Sequence, residues 1–210
     1  MPRPAGGSGQ ETKERILQSA VELFSERGYN GVSVRDLARA VGIKESSLYN
    51  HFANKDAIIA EIYDSFRERL LSRVVTAESV DEMLDRIGAA GYFTTVFRLY
   101  AEAMTEPTSV MVWRILVAEQ FRDPRANALY NHDIHDKLHD DTVLVLSRMR
   151  ARGLIRDVDL ETAADGLLEG IKAMLFRFIG SPDESKDEFL ASVDRHINFF
   201  WQCISFGTEH

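Results

Sequence analysis

Between Ser33 and Asp56 the chain reads Ser-Val-Arg-Asp-Leu-Ala-Arg-Ala-Val-Gly-Ile-Lys-Glu-Ser-Ser-Leu-Tyr-Asn-His-Phe-Ala-Asn-Lys-Asp, and no other stretch constrains the fold as much. Ser33 and Asp36 form an S-x-x-D box, whose side chains satisfy free amides at a helix start. Val34, Leu37, Ala38 and Val41 then recur at helical spacing and give one apolar face. Gly42 stands where that helix must stop and turn, a position that favours a residue free to take positive φ. Ile43, Leu48 and Phe52 are the apolar positions of a second short helix. Two short helices around a Gly-containing turn make a helix-turn-helix, the geometry that sets a recognition helix into the major groove of DNA.

Further matching pieces flank this motif: Ile16-Leu-Gln-Ser-Ala-Val-Glu-Leu-Phe24 with Gly28-Tyr29 before it, and Leu48-Tyr49-Asn50-His51-Phe52 with Lys55 at its end. With Leu37-Ala38 and Val41-Gly42-Ile43, they make Thr12 to Asp56 resemble the DNA-binding domain of TetR-type transcriptional regulators. The resemblance covers about the first quarter of the chain; beyond it, only length and helical character are similar. It implies that Tyr49, His51 and Lys55 touch phosphates, which position a protein on DNA. Lys44, Ser46, Ser47 and Asn50 are the candidates to reach base edges, with Arg35 from the preceding helix, and Ser33 is counted with the DNA-binding set. Glu45 fits less well, since a carboxylate beside phosphates is repelled unless it accepts from a cytosine amine.

Charge is distributed to suit one docking orientation. The whole chain carries 25 Lys and Arg against 33 Asp and Glu, a formal −8, whereas nucleic-acid binders are usually basic. Residues 1–57 hold eight basic and seven acidic residues, however, leaving 17 basic and 26 acidic for the remainder. An acidic body repels DNA everywhere except through the head.

The rest of the sequence predicts an all-α protein of about nine helices without internal repeats. Expected boundaries are a disordered Pro/Gly/Ser-rich arm over 1–11, a DNA-binding head over 12–57, and an effector-binding and dimerisation domain over 58–210. Helices are expected from Thr12 to Arg27 and from an Asn54 cap to about Ala77. Another should open at a Ser79–Glu82 box and kink at Gly88 or Gly91 before continuing to Glu106. Further helices are expected at Val110–Phe121, Arg125–Arg152 and Asp159–Gly180, and a last one opens at Ser181-Pro182-Asp183-Glu184. No apolar run approaches the ~20 residues of a membrane span. The single cysteine, Cys203, excludes an internal disulfide and is read as a buried small hydrophobe. No signal peptide is evident, so a cytoplasmic location is expected.

The eighth and ninth expected helices are apolar on more than one side. Leu190, Val193, Ile197, Phe200 and Ile204 make one stripe, with Phe189, Phe199, Trp201 and Phe206 off it. Leu167, Leu168, Ile171, Met174, Leu175, Phe178 and Ile179 likewise cover more than one face. Such helices need two partners, so a homodimer through these two helices is expected, reading a palindromic double-stranded operator. A central core helix would show the same pattern.

On the helices before the dimer pair lie Tyr63, Phe66, Tyr92, Phe93, Phe97, Tyr100, Met104, Met111, Trp113 and Tyr130, and Ile171 lies on the first helix of that pair. Helical bundles hold ligands in such mostly apolar surroundings. Tyr63, Phe66, Phe93, Phe97, Tyr100, Met104, Trp113, Tyr130 and Ile171 are taken as the ligand-binding set, with Arg98, Arg114, Glu119, Gln120 and Asn127 as guesses for polar anchors. The resemblance implies that a small-molecule effector moves the helix after Asn54 and releases a repressor from its operator. Plain core packing is the alternative for any one of these residues.

His132, His135 and His139 fall at i, i+3 and i+7, with Asp136 one turn after His132. On a regular helix these share a face and suit zinc or nickel, which would make a metal-sensing regulator. No other cofactor is expected. An enzyme, such as a helical metal-dependent phosphohydrolase, needs ligands from several helices, and no phosphate cradle or nucleophile elbow is present. A ligand-free architectural DNA-binding protein would use the same head and dimer.

Overall fold

The computed structural model describes residues 9–72, 75–181 and 183–206, and among these the architecture is all-α. Residues 1–8 of the expected arm lie outside the described residues; its last three already belong to the first helix. In chain order the helices are α1 (Gly9–Arg27), α2 (Val34–Val41), α3 (Glu45–Tyr49), α4 (Lys55–Leu71), α5 (Ala77–Met104), α6 (Pro107–Glu119) and α7 (Pro124–Ala128). A π-helical stretch, Leu129–Ile134, leads into α8 (His135–Ala151), followed by α9 (Leu160–Gly180) and α10 (Lys186–Ile204). No described helix is long and apolar enough to cross a membrane.

The chain divides into two compact units, Met1–Leu70 with Met111–Tyr130, and Leu71–Val110 with Asn131–His210. In the first, Ile16, Phe24, Leu37, Leu48 and Ile58 make a fully buried core for α1 to α4. Local chemistry dictates the turns between these helices. Gly28 ends α1 at φ 70°, a left-handed conformation that a side chain resists. Gly31 is required for a different reason: a Cβ there would lie 2.3 Å from the Arg27 carbonyl oxygen. The Ser33–Asp36 box forms as expected, with the Asp36 amide donating to Ser33 Oγ and the Ser33 amide to the Asp36 carboxylate at 3.0 Å. Gly42 adopts φ 75°, and the Ile43 amide returns to the Ala38 carbonyl at 2.9 Å, closing the helix in a Schellman turn.

In the second unit α5 and α8 to α10 pack as a bundle. α5 bends at Gly88, where φ 71° and ψ 172° are open to glycine alone, and runs straight past Gly91. Gly170 lets α9 approach α10, since a Cβ there would meet the His196 ring at 2.3 Å; His196 Nε2 lies 3.0 Å from the Leu167 carbonyl. That contact gives His196 a packing role.

Several expected boundaries are corrected. α5 is capped by a reciprocal Thr76–Ser79 box, not by Ser79 and Glu82, because Thr76 has the extended backbone that a cap needs. α10 opens at a Ser185–Glu188 box, not at Ser181; Pro182 lies outside the described residues. The helix expected from Arg125 is divided by the π turn. Cys203 is exposed, on the solvent side of α10.

Candidate DNA interface and its coupling to α6 and α7

The expected recognition element is α3, a single short helix. Leu48 anchors it in the core and Phe52 seals its exit, so its remaining residues face outward. Lys44, Glu45, Ser46, Tyr49 and Asn50 are exposed, Ser47 and His51 half-buried. Tyr49 is 51 % exposed, high for a residue with so much apolar surface. Arg35 and Ser33 are exposed on the first turn of α2 and its cap. Arg39 is drawn toward Asp36 at 3.8 Å, whereas Arg35 and Lys44 make no ion pair among the described residues. Two free cations therefore flank a surface of hydroxyls and an amide, the chemistry that phosphates and base edges take.

Lys55 is placed differently from the rest of the expected DNA set. Its ammonium donates to the Tyr29 and Val32 carbonyls, each at 2.8 Å, and lies 4.0 Å above the Tyr29 ring. Those carbonyls sit in the turn after α1, so Lys55 ties the start of α4 to that turn.

Tyr29 is the hub of this end of the unit. Its amide donates to Glu119 Oε1 at 3.2 Å, and its ring meets Phe24 edge-on at 5.4 Å. Its hydroxyl hydrogen-bonds Asp56; burial first and that bond second push the phenol up to about 12, so it remains a donor at neutral pH. Asp56 also pairs with Arg125 at 3.2 Å, and Arg125 holds Asp123, the N-cap of α7, at 2.9 Å. The end of α6 and the start of α7 thus grip the head at Tyr29 and Asp56. Glu119, a pocket anchor in the sequence reading, is 5 % exposed and committed to this grip. Nothing in the sequence pairs Tyr29 with a carboxylate ninety positions away.

The expected effector residues fall into two groups. In the first unit Tyr63, Phe66 and Trp113 are buried and Tyr130 half-buried. Phe66 meets Trp113 edge-on at 5.1 Å, and Trp113 meets Tyr130 at 6.1 Å. In the second unit Phe93, Phe97, Met104 and Ile171 are buried and Tyr100 half-buried, with Phe93 stacked on Phe97 at 5.5 Å. Arg98 is occupied by Glu102 at 3.1 Å and by Asp194.

The three histidines do not converge. The π turn over Leu129–Ile134 widens the helix, with i→i+5 bonds, so His132 rotates away from His135 and His139. His132 faces Asp136 at 3.4 Å near solvent, His135 faces Glu169 at 3.7 Å, and His139 faces Glu161 and Asp165, each at 3.4 Å. Among the described residues no group of three His, Cys, Asp or Glu side chains could hold a metal ion. The expected zinc or nickel site at His132, His135 and His139 is therefore corrected: a regular helix was assumed where a π turn stands.

Comparison with known proteins decides the family. Residues 16–62 match the model of bacterial regulatory proteins of the tetR family, and residues 93–203 match the C-terminal domain of AefR-like transcriptional repressors. The chain belongs to the TetR family. It is a DNA-binding transcriptional regulator and not an enzyme. The HTH-type transcriptional regulator UidR of Escherichia coli K12 is 28 % identical over 184 residues, covering 79 % of this chain and 92 % of UidR. The repressor KstR2 of Rhodococcus jostii is 40 % identical over 86 residues, or 38 % of this chain and 41 % of KstR2. Among solved structures, SmeT, repressor of the Stenotrophomonas maltophilia efflux pump SmeDEF, superposes with a TM-score of 0.68 at 16 % identity, covering 96 % of this chain and 94 % of SmeT. A regulator from Saccharomonospora viridis in complex with choline gives 0.67 at 22 % identity, covering 94 % and 99 %. At these identities the two structures speak for the fold.

Proposed function

We propose that this TetR-family regulator is a cytoplasmic homodimeric repressor that leaves a palindromic operator when a small molecule binds between its helices. The observation that carries the reading is the double grip on the head: Tyr29 on Glu119 and Asp56 on Arg125. A ligand that shifts α6 or α7 relative to α4 must strain or break these bonds, and the heads then lose the geometry that two successive major grooves require. Such a ligand lowers DNA affinity by its differential affinity for the two states and by no more. Ser33, Arg35, Lys44, Ser46, Ser47, Tyr49, Asn50 and His51 form the DNA face.

Dimerisation through α9 and α10 is supported by Phe176 and Phe199, 57 % and 65 % exposed in a single copy. Large apolar side chains left open on two neighbouring helices mark a surface that a second copy covers. A fold neighbour holding choline lends support to a small-molecule effector.

Native mass spectrometry of the purified protein tests the reading. A dimer carrying an organic mass, whose removal raises DNA affinity and whose return lowers it, is the expected result. A monomer, or a dimer whose DNA affinity no copurified or added small molecule changes, contradicts it.

A further inference from the structure

The first unit contains two buried donors with no acceptor. Among the described residues, Tyr63 Oη and Trp113 Nε1 are the buried side-chain polar atoms that lack a hydrogen-bond partner. Tyr63 is 2 % and Trp113 3 % exposed, so bulk water does not serve them. A buried donor without a partner bears the full loss of its hydration, and folded proteins retain few of them. Two in one unit are two vacant valences of the same kind, each a hydrogen to donate.

Their surroundings narrow that chemistry. Tyr63 and Phe66 lie one turn apart on α4, Trp113 faces Phe66 from α6, and Tyr130 meets the indole edge-on. The walls are therefore aromatic. An indole N–H can only donate. The phenol is protonated too: burial first, then the nearby Asp123 and Glu119 carboxylates, raise it well above its ordinary value. The same two carboxylates, offset in part by Arg125, disfavour an anionic ligand. A cation without an acceptor would leave both hydrogens unsatisfied.

We infer that Tyr63 and Trp113 are the polar anchors of the effector site and that they recognise an uncharged, aromatic or planar molecule through a carbonyl-type acceptor. This rests on the effector reading above and adds the ligand's class. A carbonyl oxygen accepts the kind of hydrogen that each anchor has to donate. The anchors also stand on the helices that hold the head. Tyr63 follows Asp56 by seven residues on α4, and Trp113 precedes Glu119 by six on α6. A ligand held by both joins α4 to α6 at the place from which each reaches Tyr29 or Arg125.

The test uses the full chain with Trp201→Phe, which leaves Trp113 as the single indole, and two probes of equal shape. Acetophenone has the carbonyl; α-methylstyrene has a methylene in place of its oxygen. Acetophenone should move the Trp113 indole N–H resonance downfield and bind at least about tenfold more tightly than α-methylstyrene, matching one or more well-made hydrogen bonds. Tyr63→Phe should shrink that margin severalfold. It should also raise the melting temperature of the ligand-free protein by about 2–4 °C, because it removes an unsatisfied hydroxyl. Equal affinity for the two probes, no binding of acetophenone, or a lower melting temperature for Tyr63→Phe overturns the assignment. DNA affinity is read separately. If acetophenone binds with the expected margin and leaves DNA binding unchanged, the anchors stand and the effector reading fails. If a compound without an acceptor displaces DNA while acetophenone is ignored, the effector reading stands and the anchors fail.

Discussion

The Tyr29 amide donates to the Glu119 carboxylate at 3.2 Å across ninety positions of sequence, joining the turn after α1 to the last residue of α6. A buried carboxylate that accepts a backbone N–H is worth about 1.5–3 kcal/mol. Glu119→Ala should therefore lower stability to urea by about 1–3 kcal/mol. Glu119→Gln, which keeps a carbonyl acceptor, should recover much of that loss. If both variants match the parent, the grip has no energetic weight.

Lys55 separates two roles that the sequence could not separate. With its ammonium on the Tyr29 and Val32 carbonyls, Lys55→Ala should destabilise the head while leaving the salt dependence of DNA binding nearly unchanged. Lys44→Ala should do the reverse and reduce the slope of log K against log salt by about 0.9, the change expected when one phosphate contact is lost. A Lys55→Ala slope reduced as much as that of Lys44→Ala would return Lys55 to the phosphate set.

The proposed dimer surface can be probed without harming the monomer. Ile197 is 1 % exposed and Phe200 8 %, so a charge at either strikes the core of the bundle itself. Phe176 and Phe199 are open, and Phe176→Glu with Phe199→Glu should give helical monomers in sedimentation velocity with an unchanged circular dichroism spectrum. A dimer that survives both changes removes α9 and α10 from the interface.

Acid should loosen the α7 end of the grip. Burial alone would raise the Asp123 carboxyl, but its bonds from the Arg125 side chain and backbone outweigh this and hold it below the ordinary value of 3.8. A carboxyl depressed in the folded state contributes stability that is complete above its unfolded pKa and is lost as pH falls through its folded one. Urea unfolding should thus weaken below about pH 4, and Asp123→Asn should flatten that limb. An identical acid limb in Asp123→Asn would exclude this carboxylate as its source.

The helix-turn-helix was legible because its determinants are local: the Ser33–Asp36 box, the left-handed Gly42 and the apolar positions at Leu37 and Leu48 lie within a few residues of what they control. Caps were legible only as types. Thr76 and Ser185 displaced Ser79 and Ser181 because several residues near each helix start could have capped it, and packing chose among them. The π turn at Leu129–Ile134 leaves no periodic signature, so the i, i+3, i+7 spacing aligns the histidines in sequence while their side chains face different carboxylates in space. Tyr29 and Glu119, or Asp56 and Arg125, are brought together by tertiary packing alone. The aromatic residues were legible as buried, but their division between two units, and the lack of an acceptor for Tyr63 Oη and Trp113 Nε1, follow from tertiary packing.

The most direct measurement is selection of binding sites from random DNA duplexes by the full-length protein, repeated with Asn50→Ala. Enrichment of an inverted repeat whose half-sites lie about one helical turn, 10–10.5 base pairs, apart from centre to centre is expected. Asn50→Ala should change the preferred bases within each half-site. No enrichment, a lone half-site, or an identical motif from Asn50→Ala would contradict these expectations.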